Sequence, residues 1–292
     1  MKMIRLFATA WLLLLVICNS EAAEDRAFFW QARSDTATVY LLGSIHYADQ
    51  SFYPLRANIE RAFDQADHLV VEVDIDAVGV KQYQDLVSEK GMYAGDETIR
   101  DNVSAKTWRQ LQQQLSRLGM PVHMVEKQKP GVLVLTLTAL QVMKMGYFPE
   151  MGIDQYFLNK ARPDKDIIPL ETIEQQLDVF LNIRDGDLLL QEALYSLGDA
   201  DSMMMDMVRY WKRGDEQGMQ QLLFDDALRE YPEFSRIYER LIYRRNAQMI
   251  EKIKGFLNRK GSYFIVVGAG HLVGDKGIIN ALKQAGFAVR RQ

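Results

Sequence analysis

Two of the four histidines in this 292-residue chain end the same short phrase: an apolar run, a glycine, two residues, then the histidine. One copy is Val39-Tyr40-Leu41-Leu42-Gly43-Ser44-Ile45-His46, and the other is Phe264-Ile265-Val266-Val267-Gly268-Ala269-Gly270-His271. The apolar runs have the length and composition of buried strands. A glycine at a strand end permits a sharp turn and lets a ligand approach the main chain closely. Gly43, Gly268 and Gly270 are therefore expected to form the backbone turns, and Gly268 with Gly270 can present N–H groups to an anion. A phrase of this kind, used near both ends of the chain, predicts two segments that converge on one site.

Two more strand-like runs carry acids. Leu69-Val70-Val71-Glu72-Val73-Asp74 contains Glu72, and Ile167-Ile168-Pro169-Leu170 ends at Glu171. In a parallel sheet, ligands gather beyond the carboxyl ends of the strands. Two imidazoles with one or two carboxylates are the donor types that hold a divalent metal while leaving positions open. A metal so held lowers the pKa of bound water and polarises a carbonyl, and a second carboxylate can move protons. On this reading His46 and His271 are metal ligands, Glu72 is a ligand or a base, and Glu171 is the other carboxylate. His68 and His123 follow no such turn and are expected on the surface or at caps. No G-x-S-x-G elbow, H-E-x-x-H helix or Walker-type loop is present.

The elements that must position these groups read as α/β at both ends of the chain. Val39–Leu42, a helix opened by Pro54 with Leu55, Ile59, Ala62 and Phe63 on one face, and Leu69–Asp74 form a βαβ unit, which implies parallel strands. Near the C-terminus, Phe264–Val267, a helix over Gly277–Gln284 and a strand over Phe287–Arg290 repeat that order. The middle, roughly 80–260, is expected to be a helical insert interrupted by a strand near 166–170. It contains a helix capped by Ser104 and stopped by Gly119, and a buried helix over Val132–Met143, too short for a membrane span. Met203, Met204, Met205 and Met207 are expected as core filler.

Length and a net charge of −4 suit a globular chain with a full core and no nucleic-acid footprint. Lys2 and Arg5, the apolar stretch Leu6–Ile17, and the small residues Ser20 and Ala22 have the pattern of a secretory signal. Residues 1–22 are expected to be cleaved, leaving 23–292 as one domain in the periplasm or secreted. An uncleaved segment would be the one contact with a membrane. The single cysteine, Cys18, lies within that segment, so the mature chain has neither disulfides nor thiol chemistry.

At these residues the chain resembles the TraB/GumN/Tiki family, in its bacterial GumN-like branch, over nearly the whole mature length. The pieces that carry the resemblance are Leu42-Gly43-Ser44-Ile45-His46, Val71-Glu72-Val73-Asp74, Met151-Gly152-Ile153-Asp154-Gln155, Leu170-Glu171-Thr172 with Glu174-Gln175-Gln176-Leu177, Arg245-Asn246, and Val267-Gly268-Ala269-Gly270-His271-Leu272-Val273-Gly274. The resemblance implies a fold similar to erythromycin-esterase and ChaN-like proteins: parallel sheet elements at both termini around a helical insert. It also implies a site built from the two Gly-x-x-His motifs. Animal Tiki members look like metal-dependent proteases supported by manganese or cobalt; zinc is the other metal this donor set suits. The expectation is therefore an exported metal-dependent hydrolase acting on a peptide or small molecule. Arg245 and Asn246 would hold a substrate carboxylate or an oxyanion, and Asp154 would join them as a substrate-binding residue. Two rivals remain. One is a binding protein for haem, metal or peptide, since Tyr47 follows His46 and a His/Tyr pair can ligate haem iron. The other is an esterase whose His and Glu act on water without a metal.

Overall fold

A computed structural model describes residues 27–292. The expected signal segment, 1–22, and Cys18 lie outside the described residues. Six strands form one sheet: β1 (Phe29–Arg33), β2 (Ala37–Ser44), β3 (His68–Val71), β4 (Asp166–Pro169), β5 (Gly261–Gly268) and β6 (Ala288–Arg291), in the order β4-β3-β5-β2-β1-β6. β4, β3, β5 and β2 run parallel to one another. β1 alone runs against them: it pairs antiparallel with both β2 and β6, so β6 points the same way as the other four. The sheet is thus mixed: one antiparallel strand, β1, stands among the parallel elements expected from the sequence.

The reason is local. Only Ser34-Asp35-Thr36 separates β1 from β2, and a connection that short can join only antiparallel neighbours. Ser34 stabilises it by accepting hydrogen bonds at Oγ from the N–H groups of Thr36 and Ala37, at 3.2 and 3.0 Å. The apolar run Phe28-Phe29-Trp30 that opens this hairpin is almost wholly buried.

β2 and β5 pair along their full length, Ala37 opposite Gly261 through to Ser44 opposite Gly268. β2 is buried over Leu41–Ser44 and β5 over Tyr263–Val267, as expected of parallel strands covered on two faces. They end level, which sets the two Gly-x-x-His turns side by side. β3 is shorter than the Leu69–Asp74 run suggests. It stops at Val71, and Asp74 instead accepts a hydrogen bond from the Ala77 N–H and caps a short 3-10 turn. Pairing with the neighbouring chain still persists beyond β3 and β4, because Glu171 N–H donates to Glu72 O at 2.8 Å. The two glutamates are thereby fixed next to each other at the same edge.

Pro54 stands ahead of its helix rather than in its first turn; the helix is Ala57–Gln65. Ser104 caps Ala105–Leu118 by accepting from Thr107 N–H, and Gly119 ends it with φ 69°, where a side chain would be strained. The apolar segment around 132–143 is the helix Pro130–Lys144, with proline in its first turn. It packs with Leu111, Leu115, Leu189 and Leu190 into a core separate from the one around the sheet. Of the methionines, Met204 is buried while Met205 is 68% exposed, so the core-filler reading holds for one and fails for the other. A π-helical turn, Glu239–Tyr243, leads directly into the helix Arg244–Leu257. Such turns recur at functional sites, and this one precedes Arg245 and Asn246. Among the described residues, no helix is long and apolar enough to cross a membrane.

Candidate active site

His271 lies on the one-turn helix Ala269–Leu272 that follows β5 and is almost fully buried. Asn246 fixes its ring. The Asn246 side-chain N–H groups donate to His271 O and Lys276 O at 3.3 and 2.9 Å, which turns Oδ1 toward His271 Nδ1 at 2.6 Å. An acceptor there places the proton on Nδ1 and leaves Nε2 with its lone pair free. Burial holds the ring neutral, with its pKa pushed down to about 4. We expect ¹⁵N-histidine NMR to show a single Nδ1-protonated tautomer for His271, and a tautomer mixture in Asn246→Ala. A mixture already present in the unsubstituted protein would contradict this hydrogen bond.

His46 sits in the loop after β2 and is the open member of the site, with its side chain 54% exposed. The segment Gly152–Asp154 is packed against it. Ile153 N–H donates to Ile45 O at 3.2 Å, and a Cβ at Gly152 would lie 2.3 Å from His46 O. Only glycine permits that approach. The docking sets Asp154 Oδ1, otherwise without a hydrogen-bond partner, 3.1 Å from His46 Nδ1. This carboxylate raises the His46 pKa to about 9, against the opposing cost of burial. The two histidines are therefore held in opposite protonation states, and in each the Nε2 atom is the one left for other chemistry.

Glu72, just past β3, is buried and joins both halves. Its Oε1 accepts from Gly268 N–H at 2.5 Å and stands 3.7 Å from His271 Nε2. Its Oε2 accepts from Arg245 Nη2 at 2.7 Å and from Gln176 Nε2 at 3.3 Å. Burial alone would raise its pKa, but His271 once protonated, the charges of Arg245 and His46, and the Gly268 N–H outweigh it and keep Glu72 ionised well below the usual carboxylate range. Arg245 also holds Glu171: Nε donates to both carboxylate oxygens at 3.0 Å, Nη2 to Oε2 at 2.7 Å, and Nη1 turns back to Leu241 O.

The three groups meet over Gly268. A Cβ built there would lie 3.2 Å from Glu72 Oε1, 3.5 Å from His46 Nε2 and 3.6 Å from His271 Cδ2. The missing side chain of one glycine is thus the space that His46, Glu72 and His271 share. Gly270 packs against Leu223 and Phe224, and Gly43 lies under Phe28 with its carbonyl accepting from Trp211 Nε1. Among the described residues, no group of three or more His, Cys, Asp or Glu stands close enough together, in this arrangement, to hold a metal ion. Arg245, Asn246 and Asp154 all face protein partners: two carboxylates, His271 and His46 respectively. Two residues went without a role in the sequence. Gln176 completes the Glu72 shell. Ser44, opposite Gly268 in the sheet, is buried with no hydrogen-bond partner for Oγ among the described residues. A capping box at Thr172 was the one signal that could have oriented the helix bearing Gln176. His68 heads β3 and stacks on Tyr263, away from this site.

A model of the TraB/PrgY/gumN family matches residues 28–291, and the chain belongs to that family. It is 25% identical to the uncharacterized protein YbaP of Escherichia coli over 246 residues, 84% of this chain and 87% of that protein. It is 21% identical to the metalloprotease TIKI1 of Xenopus tropicalis over 324 aligned positions, 93% of this chain and 62% of that protein. Metalloprotease TIKI2 of the same frog aligns at 22% identity over 92% of this chain and 60% of its own length. No solved structure matches the chain.

Proposed function

We propose that this chain is a divalent-metal-dependent hydrolase that cleaves peptide bonds and works in the periplasm or outside the cell after loss of residues 1–22. The observation that carries the reading is the shared space over Gly268, bordered by His46 Nε2, Glu72 Oε1 and the buried His271. The donors suit manganese, cobalt or zinc. Each imidazole has its Nδ1 occupied by a protein acceptor, the outer-shell arrangement that orients a metal-binding histidine. His46, the exposed member, is the one with room to close on the buried pair. The resemblance to relatives named metalloproteases supports the same class. Haem fits less well, because burial raises the Tyr47 phenol above its ordinary pKa, which disfavours the tyrosinate that iron would need.

A divalent ion held there supplies Lewis acidity for attack on an amide. The protein's own groups divide the remaining work. His46, Glu72 and His271 bind. Asp154 and Asn246 orient the two rings. Arg245 keeps Glu72 ionised, so that Oε1 remains a donor at neutral pH, and Glu171 holds Arg245 in place. On this reading Arg245, Asn246 and Asp154 are positioning residues, and Glu171 acts through Arg245 rather than on the substrate.

The test is cleavage of a peptide library by the manganese-loaded protein. Activity should vanish on chelation, return with metal and be absent in Glu72→Gln. Because His46 is protonated up to about pH 9, metal uptake at pH 7.5 should release about one proton, read calorimetrically in buffers of different ionisation enthalpy. Cleavage that survives chelation would overturn the metal reading. It would favour the metal-free esterase, in which His46 and His271 serve as acid and base.

A further inference from the structure

A second cleft, of about 530 Å³, lies beside the helix that bears Arg245 and Asn246. Its lining includes Arg184, Arg236, Arg240, Arg244 and Lys276 around the face of Tyr243. Five cations in one cleft run against the formal charge of −4 for the whole chain. Only two acids share the lining, and each is already paired: Asp185 with Arg236 at 3.5 Å and Glu239 with Lys276 at 2.9 Å. Arg240 donates from Nε to Val179 O and from Nη2 to Asp178 O, neutral acceptors that leave its charge uncompensated. Arg184 and Arg244 are exposed, and among the described residues neither has a hydrogen-bond or ion-pair partner. Three positive charges therefore remain unneutralised over one concave surface, two of them with all their donors free.

The cleft is also tied to the candidate active site. Arg244 is the chain neighbour of Arg245, and Lys276 O is one of the two carbonyls that orient Asn246. The helix Ile173–Leu181 begins beside Glu171, and Ile183 and Arg184, just past its end, line the cleft.

We propose that this cleft binds an acidic peptide segment, and that, on the peptidase reading above, it selects substrates carrying glutamate or aspartate near the bond cut. Free guanidinium groups suit this role because each can grip a carboxylate through two parallel hydrogen bonds. The patch is confined to one cleft and its one aromatic lining face, Tyr243, is already covered by Lys276 at 4.7 Å, which leaves no stacking platform for nucleic-acid bases.

Binding can be measured without turnover. The mature protein is titrated into fluorescently labelled decaglutamate and decaglutamine peptides and followed by anisotropy. Decaglutamate should bind at least about tenfold more tightly, and more weakly as salt rises. The Arg184→Glu/Arg244→Glu variant should lose that preference while melting normally and keeping its metal affinity. Equal binding of the two peptides, or full decaglutamate binding by the variant, overturns the proposal. So does tighter binding of an oligothymidylate of equal charge. Intact decaglutamate binding without cleavage of any library peptide would instead refute the peptidase reading and leave the cleft assignment standing.

Discussion

Arg245→Leu is expected to cost about 3–5 kcal/mol of folding free energy, the range for removing one partner of a buried ion pair. Arg245 is 9% exposed and binds two carboxylates that are buried as well. Leucine would leave Glu72 and Glu171 next to each other with no cation between them. The exposed pairs elsewhere, such as Lys81 with Asp85, are worth at most about 1 kcal/mol each. The loss should also depend on pH, with a sign that can be stated. In the unsubstituted protein Glu72 has a folded pKa below its unfolded value, so it contributes stability above the unfolded pKa that is lost as pH falls. Without Arg245 its pKa must rise, and protonation then relieves the repulsion. Urea denaturation should therefore show a deficit at pH 8 that shrinks at pH 5. A deficit under about 1 kcal/mol at pH 8 would mean that the triad is not the electrostatic centre described here.

Gly268→Ala should do the opposite: leave the fold nearly intact and empty the site of function. The backbone there, φ −50° and ψ 137°, is open to any residue, so alanine brings no conformational penalty. Its methyl would enter the space bordered by Glu72 Oε1 and His46 Nε2, at 3.2 and 3.5 Å. Metal affinity should fall by about a hundredfold, as for severe perturbation of a metal site's supporting contacts. Stability should change by no more than about 1 kcal/mol. Calorimetric titration and thermal melting separate the two effects. A Gly268→Ala protein that binds metal like the parent would show that the ion, if any, sits elsewhere.

These two residues also mark the limit of what the sequence discloses. The four parallel strands whose C-terminal ends carry Gly43, Glu72, Glu171 and Gly268, in the strand or just past it, were legible, because each is a short apolar run closed by a turn residue or an acid. Their alignment at one edge follows from strand register, which no local pattern prints. β1 escaped notice because its apolar residues follow closely on the apolar N-terminal segment, and it pairs through a hairpin rather than a crossover. Gly268 was visible as a turn, yet its more important property is the absence of a Cβ where three distant side chains meet. Arg245 and Asn246 could be picked out as polar groups but not assigned partners. A guanidinium suits a substrate carboxylate and a buried glutamate equally, and only the fold shows that both glutamates are already within its reach. The role of Gly152 was equally hidden, since the contact it permits is with the main chain of His46, far away in sequence.

The central claim is that His46 and His271 serve one metal site. The direct measurement is metal content and affinity in the purified parent, His46→Ala and His271→Ala proteins, with the double variant alongside. A shared site predicts a single ion per chain in the parent, loss of that ion in either single variant, and a double variant no worse than the singles. Equal metal content in the parent and both single variants would contradict the account.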